Sequence, residues 1–166
     1  MTAVHLEPWK PNDLRLLVSL VGDPVMMAHL GGPEPPEKIA ARHQHYLQLG
    51  PRGSGQMFKV VDDTGAALGS VGYWPRTWHG QEVYETGWTV LPAFQGRGVA
   101  TAAMGQVIAL ARAERTRQLM HAFPSVDNLP SNAICRKLGF TLMGESDVEY
   151  PPGQIMRCND WRLALT

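Results

Sequence analysis

The chain predicts a single-domain α/β fold whose mixed, mostly antiparallel sheet carries helices on both faces. Three observations predict it. Apolar runs at 57–61 and 67–74 flank the turn Asp62-Asp63-Thr64-Gly65 and read as a hairpin, and a second antiparallel pair closes the chain at 140–144 and 155–163. A strand at 82–91 feeds a helix and then a strand at 118–123, which the usual crossover makes parallel to the first. Helical periodicity at 14–21 and 37–49 supplies cover for the sheet. With 166 residues, 44% of them hydrophobic, one domain spanning residues 1–166 buries a sizeable core.

Each element has a local reason. Residues 4–9 form a short first strand, and Asn12 or Asp13 then caps a helix with Leu14, Leu17, Val18 and Val21 at i, i+3, i+4 and i+7. Gly22-Asp23-Pro24 ends that helix, and 31–36 is a Gly/Pro loop. In the second helix Ile39, His43, Tyr46 and Leu47 share a face. Residues 74–79 read as an aromatic loop between strands. The helix that follows residue 98 puts Val99, Ala103, Val107 and Leu110 on one stripe. A last short helix is capped by Asp127 or Asn128, with Pro130 in its first turn; Ala133, Ile134 and Leu138 form its apolar side, and Gly139 stops it.

Bulk properties narrow the function. Fifteen basic and fifteen acidic residues cancel, so no field argues for nucleic acid or for a strongly charged partner. No apolar run reaches membrane-spanning length, and the N-terminus lacks a secretory apolar stretch. Cys135 and Cys158 lack metal-ligand spacing and read as free thiols of a reducing cytoplasm. Of the six histidines, His43 and His45 cannot share a helix face, and His79 and His121 are isolated, so no metal site or triad is expected. Five tryptophans and an apolar last strand allow a homodimer without requiring one.

The informative segment is 89–101. It reads as a strand, a glycine turn and the first turn of a helix, a geometry that offers bare backbone and unpaired N–H groups to a phosphate. A Walker A loop needs Lys-Ser/Thr after its last glycine, but Gly98 is followed by Val99-Ala100. A dinucleotide fingerprint needs a third small residue where Thr101 stands. What remains is Gln95-x-x-Gly98-x-Ala100, followed about thirty residues later by Asn128-x-x-Ser131 on a helix that ends Lys137-Leu138-Gly139-Phe140. In this order the two motifs resemble the GNAT superfamily of acyl-CoA-dependent N-acetyltransferases, and the resemblance runs over nearly the whole chain.

The resemblance implies a GNAT-like fold and acetyl transfer from acetyl-CoA to a primary amine by direct attack on the thioester, with no metal. It implies that Gln95, Gly96, Arg97, Gly98, Val99, Ala100 and Thr101 hold the pyrophosphate, that Asn128 and Ser131 meet the pantetheine arm, and that the strand splays near Val90 and Leu91 to free a main-chain donor. Capping alone also explains Asn128, and Arg97 either offsets phosphate charge or points to solvent. Glu85 is the candidate general base, because family members often carry a glutamate on this strand acting through a water; a solvated strand carboxylate or a buried acid paired for structure is the other reading. The position of a tyrosine acid found in many members is Cys135 here, a weak donor better suited to being a small buried hydrophobe.

The layout is similar to the branch containing ribosomal-protein N-terminal acetyltransferases, which leaves a small-molecule or peptide amine as acceptor. A module that binds acyl-CoA without catalysis is the rival class. Glu85 beside an intact 95–100 loop favours the enzyme.

Overall fold

The computed structural model describes residues 3–50, 55–150 and 153–166. Its elements run β1 (His5–Pro8), α1 (Leu14–Val21), α2 (Pro36–Leu49), β2 (Gln56–Val61), β3 (Ala67–Trp78), β4 (Gln81–Val90), α3 (Val99–Glu114), β5 (Leu119–Ala122), α4 (Leu129–Lys137), β6 (Thr141–Glu149) and β7 (Ile155–Ala164). The strands form one sheet in the order β1-β2-β3-β4-β5-β7-β6. Only β4 and β5, joined through α3, pair in parallel; every other neighbour is antiparallel. The fold class is the one expected, an α/β domain with a mostly antiparallel sheet covered on both sides.

Helices α3 and α4 pack one face around Val60, Val71, Tyr84, Val107, Met120 and Trp161, while α1 and α2 pack the other around Trp9, Leu17, Leu20, Met27 and Met57. The C-terminal end of α3 is tied to the sheet by Glu114, whose carboxylate accepts the Tyr73 hydroxyl at 2.6 Å and the Tyr84 hydroxyl. That anchor aims the opposite end of α3 at the C-terminal end of β4.

Several local expectations are corrected. In α1 the buried residues are Leu16, Leu17, Leu20 and Val21, whereas Leu14 and Val18 are exposed, so the apolar stripe is rotated from the expected one. Asp13 does not cap α1 through its side chain; its carboxylate accepts the Lys10 N–H and the Lys59 ammonium, each at 2.9 Å. Leu110 is likewise exposed, and α3 buries Ala100, Met104, Ile108 and Ala111 beside Val99, Ala103 and Val107. In α4 the buried side chains are Asn132 and Cys135, not Ala133.

Residues 74–78 belong to β3 rather than to a loop, and the turn falls at His79-Gly80 with φ of 48° and 77°. Pro75 is tolerated because, among the described residues, β2 pairs with β3 only as far as Tyr73, and beyond that point the described ladder of β3 is with β4.

The ladder between β4 and β5 is confined to Tyr84↔Met120 and Glu85↔His121. Beyond Glu85, β4 continues to Val90 while β5 ends at Ala122, and the two diverge.

Candidate functional site

Beyond the gap lies a cavity of about 510 Å³. Its walls are the end of β4 (Trp88, Thr89, Val90), the loop and first turn of α3 (Phe94 to Thr101, except Arg97), the near side of α4 and the segment after α1. Of the cofactor-contact residues expected from the sequence, Val90, Gln95, Gly96, Gly98, Val99, Ala100, Thr101, Asn128 and Ser131 line it, and Leu91 and Arg97 do not; the expected base, Glu85, does not line it either.

The loop has its shape for a backbone reason. Gly96 and Gly98 stand at φ of 73° and 77°, in the left-handed region, and Gly98 is the residue at which α3 begins. A Cβ at either position would meet nothing within 4 Å, so conformation, not crowding by the protein, requires glycine. The first backbone bond of α3 is Ala102 N–H to Gly98 C=O at 3.0 Å. The amides of Val99, Ala100 and Thr101 therefore precede the helical ladder and sit at its positive end.

Strand register decides which main-chain donors face the gap. Leu91 N–H donates to Leu68 C=O at 2.8 Å, so in this antiparallel ladder the odd-numbered residues of β4 bond to β3. The N–H groups of Trp88 and Val90 point the other way, into the divergence from β5. Leu91 thus has no free donor, and the one near the end of the strand belongs to Val90. Gln95 turns back on its own loop, its amide donating to Val90 C=O at 2.9 Å. Arg97 is exposed, with its guanidinium 6.0 Å from the centre of the Phe94 ring. Asn128 caps α4 by accepting the Ser131 N–H at 3.2 Å.

Glu85 lies on the other face of the sheet. Residues 84 and 86 face α3, so the period of two turns Glu85 toward the α1/α2 side, with Trp74 and His121 as its register partners. Arg76 Nη1 donates to its carboxylate at 2.5 Å. Burial pushes the Glu85 carboxyl above the usual carboxylate range although Arg76 pulls the other way.

The reading of His121 as isolated is corrected here. Its Nδ1 lies 2.6 Å from Asp160 Oδ1, and both side chains are buried. Asp160 Oδ2 accepts the Trp78 indole N–H at 3.1 Å. Burial raises the Asp160 carboxyl, but the bonds from His121 and Trp78 outweigh it and leave the group below its ordinary range. Sequence reasoning missed this pair because its members are 39 residues apart and meet only across the β5–β7 ladder.

Cys135 is fully buried and its thiol is pushed up to about 12 by burial, which suits a small hydrophobe and no proton donor. Other residues of the cavity that were not singled out are Met26 and His29 from the segment after α1, Trp88, and Lys137 of the Lys-Leu-Gly-Phe run. Lys137 was the most legible of these, a cation in the last turn of the helix whose N-terminus also meets the cavity.

A family model described as an acetyltransferase (GNAT) domain matches residues 3–141. A search of curated proteins finds no match. Among solved structures, the chain is similar to spermidine N-acetyltransferase from Vibrio cholerae in complex with coenzyme A and spermine (TM-score 0.80, 15% identity, 98% of this chain and 95% of that one). It is also similar to the acetyltransferase from Salmonella typhimurium that modifies the N-terminal serine of a 50S ribosomal protein (TM-score 0.81, 19% identity, 99% and 96%). A third likeness is the microcin C7 self-immunity acetyltransferase in complex with acetyl-CoA and AMP (TM-score 0.79, 17% identity, 97% and 92%). At these identities the structural likeness establishes the fold, and the family match, which covers most of the chain, establishes membership: this protein belongs to the GNAT acetyltransferases.

Proposed function

We propose that the protein moves an acetyl group from acetyl-CoA to a primary amine, and that the amine is a protein or peptide N-terminus, or a monoamine, rather than a polyamine. The observation that carries the first part is the divergence of β4 from β5 immediately after Glu85. It brings the unladdered amides of α3, the outward N–H of Val90 and the capped start of α4 into one cavity, with a carboxylate at its origin on the opposite face.

The residues present fit coenzyme A. The amides of Val99, Ala100 and Thr101 at a helix N-terminus suit a pyrophosphate, and the bare backbone at Gly96 and Gly98 lets it approach. Arg97 and Lys137 supply cationic charge near by. Asn128 and Ser131 offer amide and hydroxyl groups to a pantetheine arm, and Val90 N–H faces the gap. When bound, acetyl-CoA supplies a thioester carbonyl carbon open to a neutral amine. Glu85 removes the ammonium proton through a water, and its raised proton affinity brings it nearer the working pH than a free carboxylate would be.

The acceptor class follows from charge. On the α1/α2 side the carboxylates beside the gap already have basic partners: Glu85 with Arg76, and Asp160 with His121. A polycation would find its counter-charges occupied. An α-amino terminus needs one neutralised ammonium, and its pKa of about 8 makes that proton easier to remove than one of an alkyl amine near 10. Two buried free thiols support a cytoplasmic location.

The test is thiol release from acetyl-CoA with a peptide bearing N-terminal Ser, a simple monoamine and spermidine. We expect kcat/KM for the peptide or monoamine to exceed that for spermidine by about tenfold or more, and the reverse order overturns the acceptor class. Calorimetric binding of coenzyme A without thiol release on any amine would make the chain a binding module. No heat with coenzyme A would remove the cofactor assignment as well.

A further inference from the structure

On the α1/α2 side of the sheet the contacts around Arg76 close into a ring. The guanidinium carbon lies 5.1 Å from the centre of the Trp78 ring and 5.0 Å from that of Phe123. Trp78 and Phe123 are themselves 4.7 Å apart. Trp78 donates to Asp160, Asp160 holds His121 Nδ1, and the His121 ring stacks on Phe123 at 5.7 Å and 13°. Glu85 is attached to this ring through Arg76 alone, and His121 is its register neighbour across β5.

The ring explains how Arg76 keeps its place, since two aromatic faces fix the plane of a guanidinium. It also holds more charge than positioning requires. Two carboxylates, Glu85 and Asp160, share the pocket with one guanidinium and one imidazole. When Glu85 takes a proton from the ammonium, the N–H bond breaks, a carboxyl O–H forms, and the electron pair stays on the amine nitrogen. Arg76 then loses its anionic partner while remaining in the ring. Asp160, one indole away, is the carboxylate still ionised, and His121 sits between the two acids.

We propose that Asp160 and His121 are positioning residues for the acetyl transfer: through the Arg76 ring they hold the Glu85 carboxylate in place and set how readily it accepts the proton of the amine. This rests on the reading of Glu85 as the base. The groups that act on Glu85 are Arg76 and Trp74 from β3, His121 from β5 and Cys158 from β7; Asp160 is linked to it through His121 and Trp78, Arg162 is the register partner of His121, and His79 acts on Asp160. His121 favours the Glu85 anion.

The experiment is a pH titration of the full chain by NMR, following the Glu85 side-chain carboxyl carbon and the His121 ring nitrogens, with no acceptor present. The unmodified protein gives the Glu85 midpoint against which the variants are read. His121→Gln removes a group that favours the Glu85 anion and raises the Glu85 midpoint by about half a pH unit or more, and Asp160→Asn, which frees His121 from its place in the ring, moves it the same way. General loosening of the pocket would let water reach Glu85, relieve the burial that raises it and move the midpoint down, so the sign separates positioning from loosening. An unmoved or lowered Glu85 midpoint in folded variants overturns the proposal, and Trp78→Phe, which removes the indole N–H donated to Asp160, serves as the same test where either variant fails to fold. In thiol-release assays the acid limb of kcat/KM moves with the Glu85 midpoint. Failure of all amines to release thiol counts against the proposed activity, whereas the carboxyl titration decides the coupling by itself.

Discussion

Glu85 is subject to two opposing effects. Loss of water disfavours its anion and Arg76 at 2.5 Å favours it, and the structure resolves the contest toward a raised proton affinity. The sign for catalysis follows. A group with a raised pKa stays protonated, and useless as a base, to a higher pH than a free carboxylate, so kcat/KM falls as pH drops through that pKa and recovers above it. Glu85→Gln should remove this acid limb and lower kcat/KM by about a hundredfold or more, the usual scale of general-base catalysis. Thiol release measured from pH 5 to 9 checks both, and a retained limb would take Glu85 out of the mechanism. The same substitution strips a half-buried guanidinium of its anion, so chemical denaturation run in parallel separates lost chemistry from lost fold.

The turn into α3 shows what an element contributes that no side chain does. Gly98 holds φ at 77° where α3 begins, and a Cβ there would touch no protein atom. Gly98→Ala therefore costs the fold only left-handed strain, about 1 kcal/mol. A ligand lying on the bare backbone meets the new methyl directly. Coenzyme A affinity should fall by tenfold or more in calorimetry while thermal unfolding shifts by a few degrees, and unchanged affinity would mean that the phosphates lie elsewhere. This turn was legible in the sequence because glycine at a positive φ and a helix start are local events. The core side of α4 was not. Asn132 is buried there, donating to the carbonyls of Ser125 and Asn128 and accepting from Asn159 and Trp161 of β7. Helical periodicity marks apolar faces and is blind to a polar residue that finds its partners on a distant strand.

At the scale of the molecule, the elements and their order were readable, but distances that depend on register were not. β7 enters between β5 and β6, and only that insertion brings Asp160 to His121. Another long-range link carries a consequence for the acceptor. Helix α2 packs on β2, toward one edge of the sheet, and β6 forms the opposite edge. Arg42 of α2 joins the two, holding both oxygens of Glu34 and donating to the Tyr150 hydroxyl at 2.5 Å, 108 residues away. Helix α2 covers the face of the sheet to which Glu85 turns, so the link is a candidate to shape the approach of an amine to that carboxylate. Tyr150→Phe removes the accepting hydroxyl and keeps the ring, leaving Arg42 on Glu34. It should raise KM for the amine several-fold, leave coenzyme A affinity untouched and cost the fold about 1 kcal/mol. Arg42→Met leaves the buried Glu34 carboxylate without its cation and should destabilise by about 3 kcal/mol. The two variants divide acceptor site from scaffold: if Tyr150→Phe leaves the amine KM unchanged while Arg42→Met unfolds readily, the link holds the fold together and does not shape the acceptor site.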